Sequence, residues 1–246
     1  MDFTYKSYLK LINKLRDKRY EIVTYQNWEQ AGRCAILRHD VDNDLQKAAA
    51  MAEFEKSIGV HSTYFLLLTS DFYNVFSKES QRLIDKIKWG GHFIGLHFDE
   101  VRYPELMGKT EEIKSRILYE SNILSEAIND TVKVVSMHRP SKEILDADLR
   151  IPDMVNSYGS VFFHDFKYLS DSRRRWREPV EEIIDSSEYE RLHILTHPFW
   201  YFEEGKTLEK TVSDFVNSAN LQRYEQMEDN ITDLRSIMKR EGVRIC

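Results

Sequence analysis

The chain has 246 residues, with 35 lysines and arginines against 41 aspartates and glutamates, which gives a formal net charge of −6. This length suits one large domain or two small ones, and single α/β barrels commonly fall in this range. The acidic balance argues against a nucleic-acid partner held mainly by phosphate contacts. No apolar run approaches the ~18–20 residues of a membrane helix, so we expect a globular protein with no membrane span.

The first twenty residues contain lysines and arginines that interrupt every apolar stretch, so they lack the unbroken hydrophobic region of a secretory signal. This pattern predicts a cytoplasmic protein. Cys34 and Cys246 fit neither a disulfide framework nor a CxxC metal clip, and both are predicted to be free thiols. The amino-acid sequence predicts no particular oligomeric state.

The predicted elements suggest one domain, with a core over about residues 34–200 and a helical tail over 201–246. Apolar spacing over residues 4–18 predicts a leading helix. Six short apolar runs predict strands at 34–37, 62–68, 92–96, 132–137, 159–163 and 192–195. Amphipathic helices are predicted behind Asn43 and Asp44 and over residues 113–128. Strands that alternate with helices in this way predict a parallel sheet or a barrel.

Polar residues follow four of the predicted strands. Asp40 and Asp42 end the first, His97 the third, His138 and Arg139 the fourth, and His197 the last. In a parallel α/β barrel the carboxyl ends of the strands converge on one mouth, so these residues are expected to meet there.

Imidazole and carboxylate together suit zinc or another borderline divalent cation, and Asp42 and His97 are the leading candidate ligands. Asp40 could then accept a proton from an activated water, and His197 could donate one to a leaving group. Arg139 could hold Asp40 ionised through a charge-assisted hydrogen bond.

Five segments carry a resemblance to a known family: residues 38–42, GGHFIGLHFDE at 90–100, HRPS at 138–141, YLSDSRRRW at 168–176 and LTHP at 195–198. In this order they resemble the motifs of the polysaccharide deacetylase family, carbohydrate esterase family 4 and its relatives. The resemblance implies a deformed, incomplete (β/α)7-type barrel, here with an added N-terminal helix and a C-terminal helical tail. It also implies a divalent metal, with zinc favoured, and hydrolysis of an N-acetyl group.

The resemblance assigns roles to single residues. By position these are Asp40 as catalytic base, Asp42 and His97 as metal ligands, Arg139 as the arginine that orients the base, Asp171 as the residue that holds this arginine, His197 as catalytic acid, and Trp176, Phe199 and His39 in the substrate pocket. The family's second metal histidine should lie four residues after His97, where this chain has Val101. A replacement ligand is therefore expected, with His138 the first candidate, Glu100 the second and His92 the third.

The predicted function is removal of an acetyl group from the nitrogen of an amino sugar, such as a nucleotide- or lipid-linked precursor, for surface-polysaccharide biosynthesis. Two alternatives remain: hydrolysis of a formamide or cyclic amide, and a non-catalytic glycan-binding relative. A structural role is the alternative for Asp40, Asp42 and Asp44. These residues precede a predicted helix, whose exposed N–H groups acidic residues would cap. The run 173–175 of three arginines is either a solvated loop or a contact for an anionic substrate group.

Overall fold

The computed structural model describes residues 1–243, and Cys246, predicted to be a free thiol, lies outside them. Within these residues the helices, in chain order, are α1 Tyr5–Asp17, α2 Leu45–Ser57, α3 Lys78–Trp89, α4 Thr110–Ile128, α5 Lys142–Asp146, α6 Ser160–His164, α7 Val180–Ser186, α8 Leu208–Glu228 and α9 Leu234–Ile237. The strands are β1 Glu21–Val23, β2 Cys34–Val41, β3 Thr63–Leu66, β4 Phe93–Phe98, β5 Val134–Met137, β6 Val155–Asn156, β7 Lys167–Ser170 and β8 Arg191–Thr196.

All of the strand pairs are parallel. The sheet runs β6-β5-β4-β3-β2-β8-β7, and the short β1 pairs with the first half of β2. Across residues 1–243 no ladder joins β6 to β7, so the seven-stranded path forms a half-barrel rather than a closed one. The predicted α/β fold, a deformed and incomplete barrel, is confirmed.

Alternation along β2 separates two environments, because successive side chains of a strand point to opposite faces. Ala35 and Leu37 pack outward in the large core that the sheet forms with the helices, together with Tyr8 of α1 and Ala48 of α2. Cys34 and Ile36 point inward, into a smaller cluster inside the half-barrel, where Cys34 is a buried free thiol. The same alternation continues to the polar residues at the end of the strand.

Helix starts agree with the local sequence where a polar side chain can cap exposed N–H groups. Thr4 caps α1, which confirms the predicted leading helix, and Asp44 accepts from the backbone N–H groups of Gln46 and Lys47 at the start of α2. The structural role, capping of a helix, therefore holds for Asp44. No helix of residues 1–243 combines the length and the apolar character that crossing a bilayer requires.

One predicted strand is wrong. Residues 159–163 lie mostly in α6, whose Phe162 is buried against Phe166 and Tyr25 while Phe163 stays partly exposed. A short apolar run does not distinguish a buried strand from a buried helical turn. The strands β1, β6 and β7, of three, two and four residues, were not predicted.

The chain divides into two compact units, residues 1–203 and 204–246. The first holds the half-barrel and its helices. The second, as far as residue 243, contains α8 and α9, and the Tyr224 hydroxyl donates to the carbonyl of Met238 at 3.0 Å. The described part of this second unit is helical, as the apolar pattern of the tail predicts.

Candidate metal centre

The inward side of β2 carries Arg38 and Asp40, and Asp42 follows directly after the strand. His97 lies on β4 and His138 follows β5, so ligands from three strands meet at the carboxyl end of the sheet. Asp42, His97 and His138 form a cluster that could hold a metal ion. The structure therefore brings together the three residues that the sequence nominates as ligands.

The distances within this cluster suit a divalent cation. Asp42 Oδ1 lies 3.3 Å from His97 Nε2 and 3.4 Å from His138 Nδ1, and the two ring nitrogens are 3.1 Å apart. Donor atoms about 2.0–2.2 Å from one cation are roughly 3.0–3.5 Å apart in octahedral or tetrahedral geometry. The separations therefore fit such an ion.

One buried polar atom supports this fit. Asp42 Oδ1 accepts no hydrogen bond from any described residue, although buried carboxylate oxygens normally have a donor. A cation would satisfy it. His97 Nδ1, the ring nitrogen on the far side of the cluster, is also without a partner in residues 1–243. The ring is instead packed edge-on against His138, with centroids 5.0 Å apart.

Charge around Asp42 favours its ionised form. Burial alone would raise the pKa of Asp42, but the adjacent rings of His138 and His97 hold this pKa well below its usual range. A carboxylate and two imidazoles at one point are a donor set typical of zinc and related borderline cations.

Asp40 lies beside this cluster, with its Oδ2 3.7 Å from His97 Nε2. Arg38 Nη2 donates to both carboxylate oxygens of Asp40, at 2.8 and 3.1 Å. Burial would raise the pKa of Asp40, yet the Arg38 charge lowers it. Asp40 is therefore an ionised carboxylate whose two oxygens are both held by the guanidinium and whose Oδ2 also lies near the candidate ligand His97.

The predicted contact between Arg139 and Asp40 is wrong, because Arg38 is the arginine that bonds Asp40. Arg139 sits in a left-handed turn after β5, with φ 48°, and its side chain is exposed. Arg38 precedes Asp40 by two residues on β2, so both side chains share one face of the strand. That spacing was the sequence signal that could have identified Arg38.

Arg38 is itself fully buried inside the half-barrel. Its Nη1 donates to Ser157 at 2.9 Å and its Nη2 to Ser136 at 2.6 Å, while the guanidinium lies 5.1 Å from the Phe65 ring and 5.0 Å from the Tyr158 ring. The charge is thus fixed from several elements at once.

His197 follows β8 and approaches the cluster from the opposite side, with its Nε2 3.9 Å from Asp42 Oδ2. Its Nδ1 donates to Asp171 Oδ1 at 2.6 Å, and its backbone N–H donates to Asp171 Oδ2 at 3.2 Å. Burial would lower the pKa of His197, but Asp171, with Asp42 and Asp40, raises it to about 9. Asp171, predicted to hold Arg139, is therefore bonded to His197 instead, because both follow neighbouring strands.

The remaining candidates are placed as follows. His39 is fully buried on the outward side of β2, so it does not line a pocket as predicted. Trp176 and Phe199 are half-buried, and their pocket role stays a prediction. Glu100 accepts from the backbone N–H and hydroxyl of Ser141, and His92 accepts from the backbone N–H of Ser62, which accounts for both as structural residues.

Comparison with known proteins finds similarity to solved structures. No family model matches the chain, and no curated protein matches it. A CE4 esterase from Streptococcus mutans has a TM-score of 0.50 and 17% identity, over 82% of this chain and 86% of its own.

Two further solved structures are more distant. A CE4 family pseudoenzyme from Bacillus anthracis has a TM-score of 0.44 and 15% identity over 76% of this chain, which spans 62% of that structure. A chitin deacetylase from Colletotrichum lindemuthianum has a TM-score of 0.45 and 13% identity, over 75% of this chain and 81% of its own. In fold the chain is similar to the CE4 esterase from Streptococcus mutans, and it carries an Asp-His-His cluster at the carboxyl end of its sheet.

Proposed function

We propose that the protein is a metal-dependent hydrolase that removes an N-acetyl group from an amino sugar. The observation that carries the proposal is the grouping of Asp42, His97 and His138 within ligand distance of one another, with Asp40 beside them. A divalent cation held by these three residues, with zinc favoured by the donor set, would polarise the amide carbonyl and make a water molecule more acidic.

The residues of this chain supply the proton transfers. Asp40, ionised and held by Arg38, is placed to accept a proton from the attacking water. His197 is protonated at neutral pH, since its pKa is raised to about 9, and it can donate a proton to the departing amine. Asp171 keeps the His197 ring oriented with Nε2 toward the cluster.

A phosphate-bearing substrate, such as a nucleotide- or lipid-linked sugar, is the finer part of the proposal. Arg139 follows β5, and Arg173, Arg175 and Arg177 follow β7; all four are exposed. None of their side chains has an ion pair within residues 1–243, although the chain as a whole is acidic. Unneutralised arginines near the mouth support an anionic group on the substrate. Surface-polysaccharide assembly in the cytoplasm would supply such a precursor, and cell fractionation tests that placement.

Metal content and product analysis test the main proposal. Protein purified without chelator should contain one equivalent of a divalent metal by elemental analysis, and Asp42→Ala should contain much less. Wild type should release acetate from N-acetyl sugars, and chelation should abolish the release until metal is restored.

The substrate panel separates the alternatives. N-formyl sugars and cyclic amides are assayed beside N-acetyl sugars, and release of formate or ring opening without acetate would replace deacetylation by another amide hydrolysis. Absence of stoichiometric metal, together with unchanged glycan binding in Asp42→Ala, would instead identify a non-catalytic binding module.

A further inference from the structure

A second polar cluster lies on the outward side of β2, between the sheet and the helices. Its centre is Glu55 of α2, a fully buried carboxylate. The hydroxyls of Tyr8, Ser62 and Tyr64 donate to Glu55 at 2.5, 2.5 and 2.8 Å, and His39 Nε2 lies 3.0 Å from its Oε1. Four partners from three segments of the chain thus converge on one buried group.

Glu55 is ionised in this cluster. Burial would raise its pKa, but the His39 ring and the hydroxyl donors lower that pKa to about 2. A carboxylate can only accept hydrogen bonds, so Nε2 of His39 must carry the hydrogen. This fixes the orientation of the His39 ring and turns its Nδ1 toward β8.

The other end of His39 reaches the neighbouring strand. Its Nδ1 is hydrogen-bonded to Thr196 Oγ1 at 2.7 Å, and the two residues are register partners in the β2–β8 ladder. Both are essentially inaccessible to solvent. The hydrogen-bonded series therefore runs from α2 through β2 to the last residue of β8.

The ends of this series adjoin the residues that the proposed function uses. His39 immediately precedes Asp40, and Thr196 immediately precedes His197. Asp40 faces the interior of the half-barrel, and His39 faces the helices, because neighbouring residues of a strand alternate. The series therefore fixes the backbone on which the base and the acid stand, without touching either side chain.

We propose that Glu55, His39 and Thr196 are positioning residues that set the separation of Asp40 and His197 across the β2–β8 pair. The inference rests on the proposed function and adds residues outside the metal cluster to it. A reaction that needs a base on one strand and an acid on the next depends on their relative placement, and displacement of about 1 Å can cost up to roughly 100-fold in rate.

The test uses the isosteric change Thr196→Val, which removes the hydroxyl and keeps the volume. We expect kcat on the N-acetyl substrate to fall roughly tenfold or more, with KM and metal content close to wild type. Thr196→Ser, which restores the hydroxyl, should recover most of kcat. Glu55→Gln, which keeps the shape but removes the charge, should lower kcat in the same direction.

The matched control is Tyr8→Phe. It removes another hydrogen bond to the same Glu55 oxygen and leaves the bond from His39 to Thr196 in place. Its loss of thermal stability should resemble that of Thr196→Val, while kcat stays near wild type. Equal kcat losses in the two variants, or a wild-type kcat in Thr196→Val, would overturn the proposal and leave a structural cluster.

A crystal structure of Thr196→Val provides a readout that needs no activity. We expect the 3.9 Å separation of His197 Nε2 and Asp42 Oδ2 to change, whereas in Tyr8→Phe it should not. If wild type hydrolyses no substrate, the proposed function fails, and this distance still decides whether the series positions the two strand ends. An unchanged distance in Thr196→Val would then refute it.

Discussion

Arg38 is the residue on which the candidate base depends. Its guanidinium bonds Asp40, Ser136 and Ser157 in a site that excludes solvent, and breaking one partner of such a buried pair typically costs about 3–5 kcal/mol. The geometry also needs the planar fork of arginine, because one Nη group serves Asp40 while the other reaches Ser157.

Arg38→Lys should therefore lower kcat roughly tenfold or more, since lysine keeps the charge but cannot bond Asp40 and Ser157 at the same time. Arg139→Lys is the comparison, and we expect it to lower kcat less. Steady-state kinetics on one N-acetyl substrate measures both. If Arg139→Lys has the larger effect on kcat, the orienting role belongs to Arg139 after all.

Glu55 makes the free energy of unfolding depend on pH. Its pKa is lowered from 4.5 in the unfolded chain to about 2 in the fold, so the stabilisation is complete above about pH 4.5 and is lost as the pH falls toward 2. The shift corresponds to about 3 kcal/mol at most. Between pH 5 and 3, Glu55→Gln should lose unfolding free energy less steeply than wild type.

Urea denaturation at several pH values measures this slope. Glu53→Gln, at an exposed position of the same helix, controls for the change in net charge. Parallel curves for wild type and Glu55→Gln would show that Glu55 does not carry the acid sensitivity.

At the scale of elements, β4 packs closely against both of its neighbouring strands at Gly95. A Cβ atom there would lie 2.5 Å from two ring carbons of Phe65 and 3.1 Å from the carbonyl of Val134. Phe65 is the register partner of Gly95 on β3 and packs its ring beneath the Arg38 guanidinium. The lack of a side chain at Gly95 thus makes room for the ring that supports the ion pair.

Gly95→Ala should destabilise the fold by about 1–3 kcal/mol, because Phe65 is held on several sides and cannot move away freely. Thermal or urea unfolding measures the loss. Gly32→Ala is the matched control, since nothing lies within 4 Å of a Cβ at Gly32. A stability of Gly95→Ala equal to that of the control would mean that the ring can shift.

At the scale of the whole molecule, the half-barrel gathers carboxylates and imidazoles at its mouth and places exposed arginines beside them. The net charge of −6 would repel an anionic substrate at a distance, so the proposed recognition of a phosphate would depend on local arginines. Arg139 and Arg173 are suitable because each follows a strand that contributes to the site.

Arg173→Ala should lower kcat/KM for N-acetylglucosamine 1-phosphate about tenfold more than for neutral N-acetylglucosamine, as expected for loss of a charge-assisted contact. Arg82→Ala, which removes an equal charge from α3, should leave the ratio of the two kcat/KM values unchanged. The same ratio in both variants would argue against phosphate recognition at this rim.

Much of the fold was predictable because it depends on local patterns. The runs at β2, β4 and β8 are long enough for their apolar residues to indicate buried strands, and polar residues at their ends indicate a shared mouth. Asp40 and Asp42, separated by one residue at the end of the first predicted strand, also supplied two carboxylates to this mouth. Short strands such as β6 and the misassigned segment 159–163 carry too few residues for any periodicity.

The amino-acid sequence by itself determined the leading helix, the longer strands β2, β4 and β8, the capping of α2 and which residue types stand at the ends of those strands, because these depend on neighbours a few positions apart. Only the tertiary structure decided that His138 joins Asp42 and His97, that Arg38 rather than Arg139 holds Asp40, and that Asp171 pairs with His197. Such pairings depend on the order of strands in the sheet and on the side from which each chain segment arrives, and no local spacing encodes either.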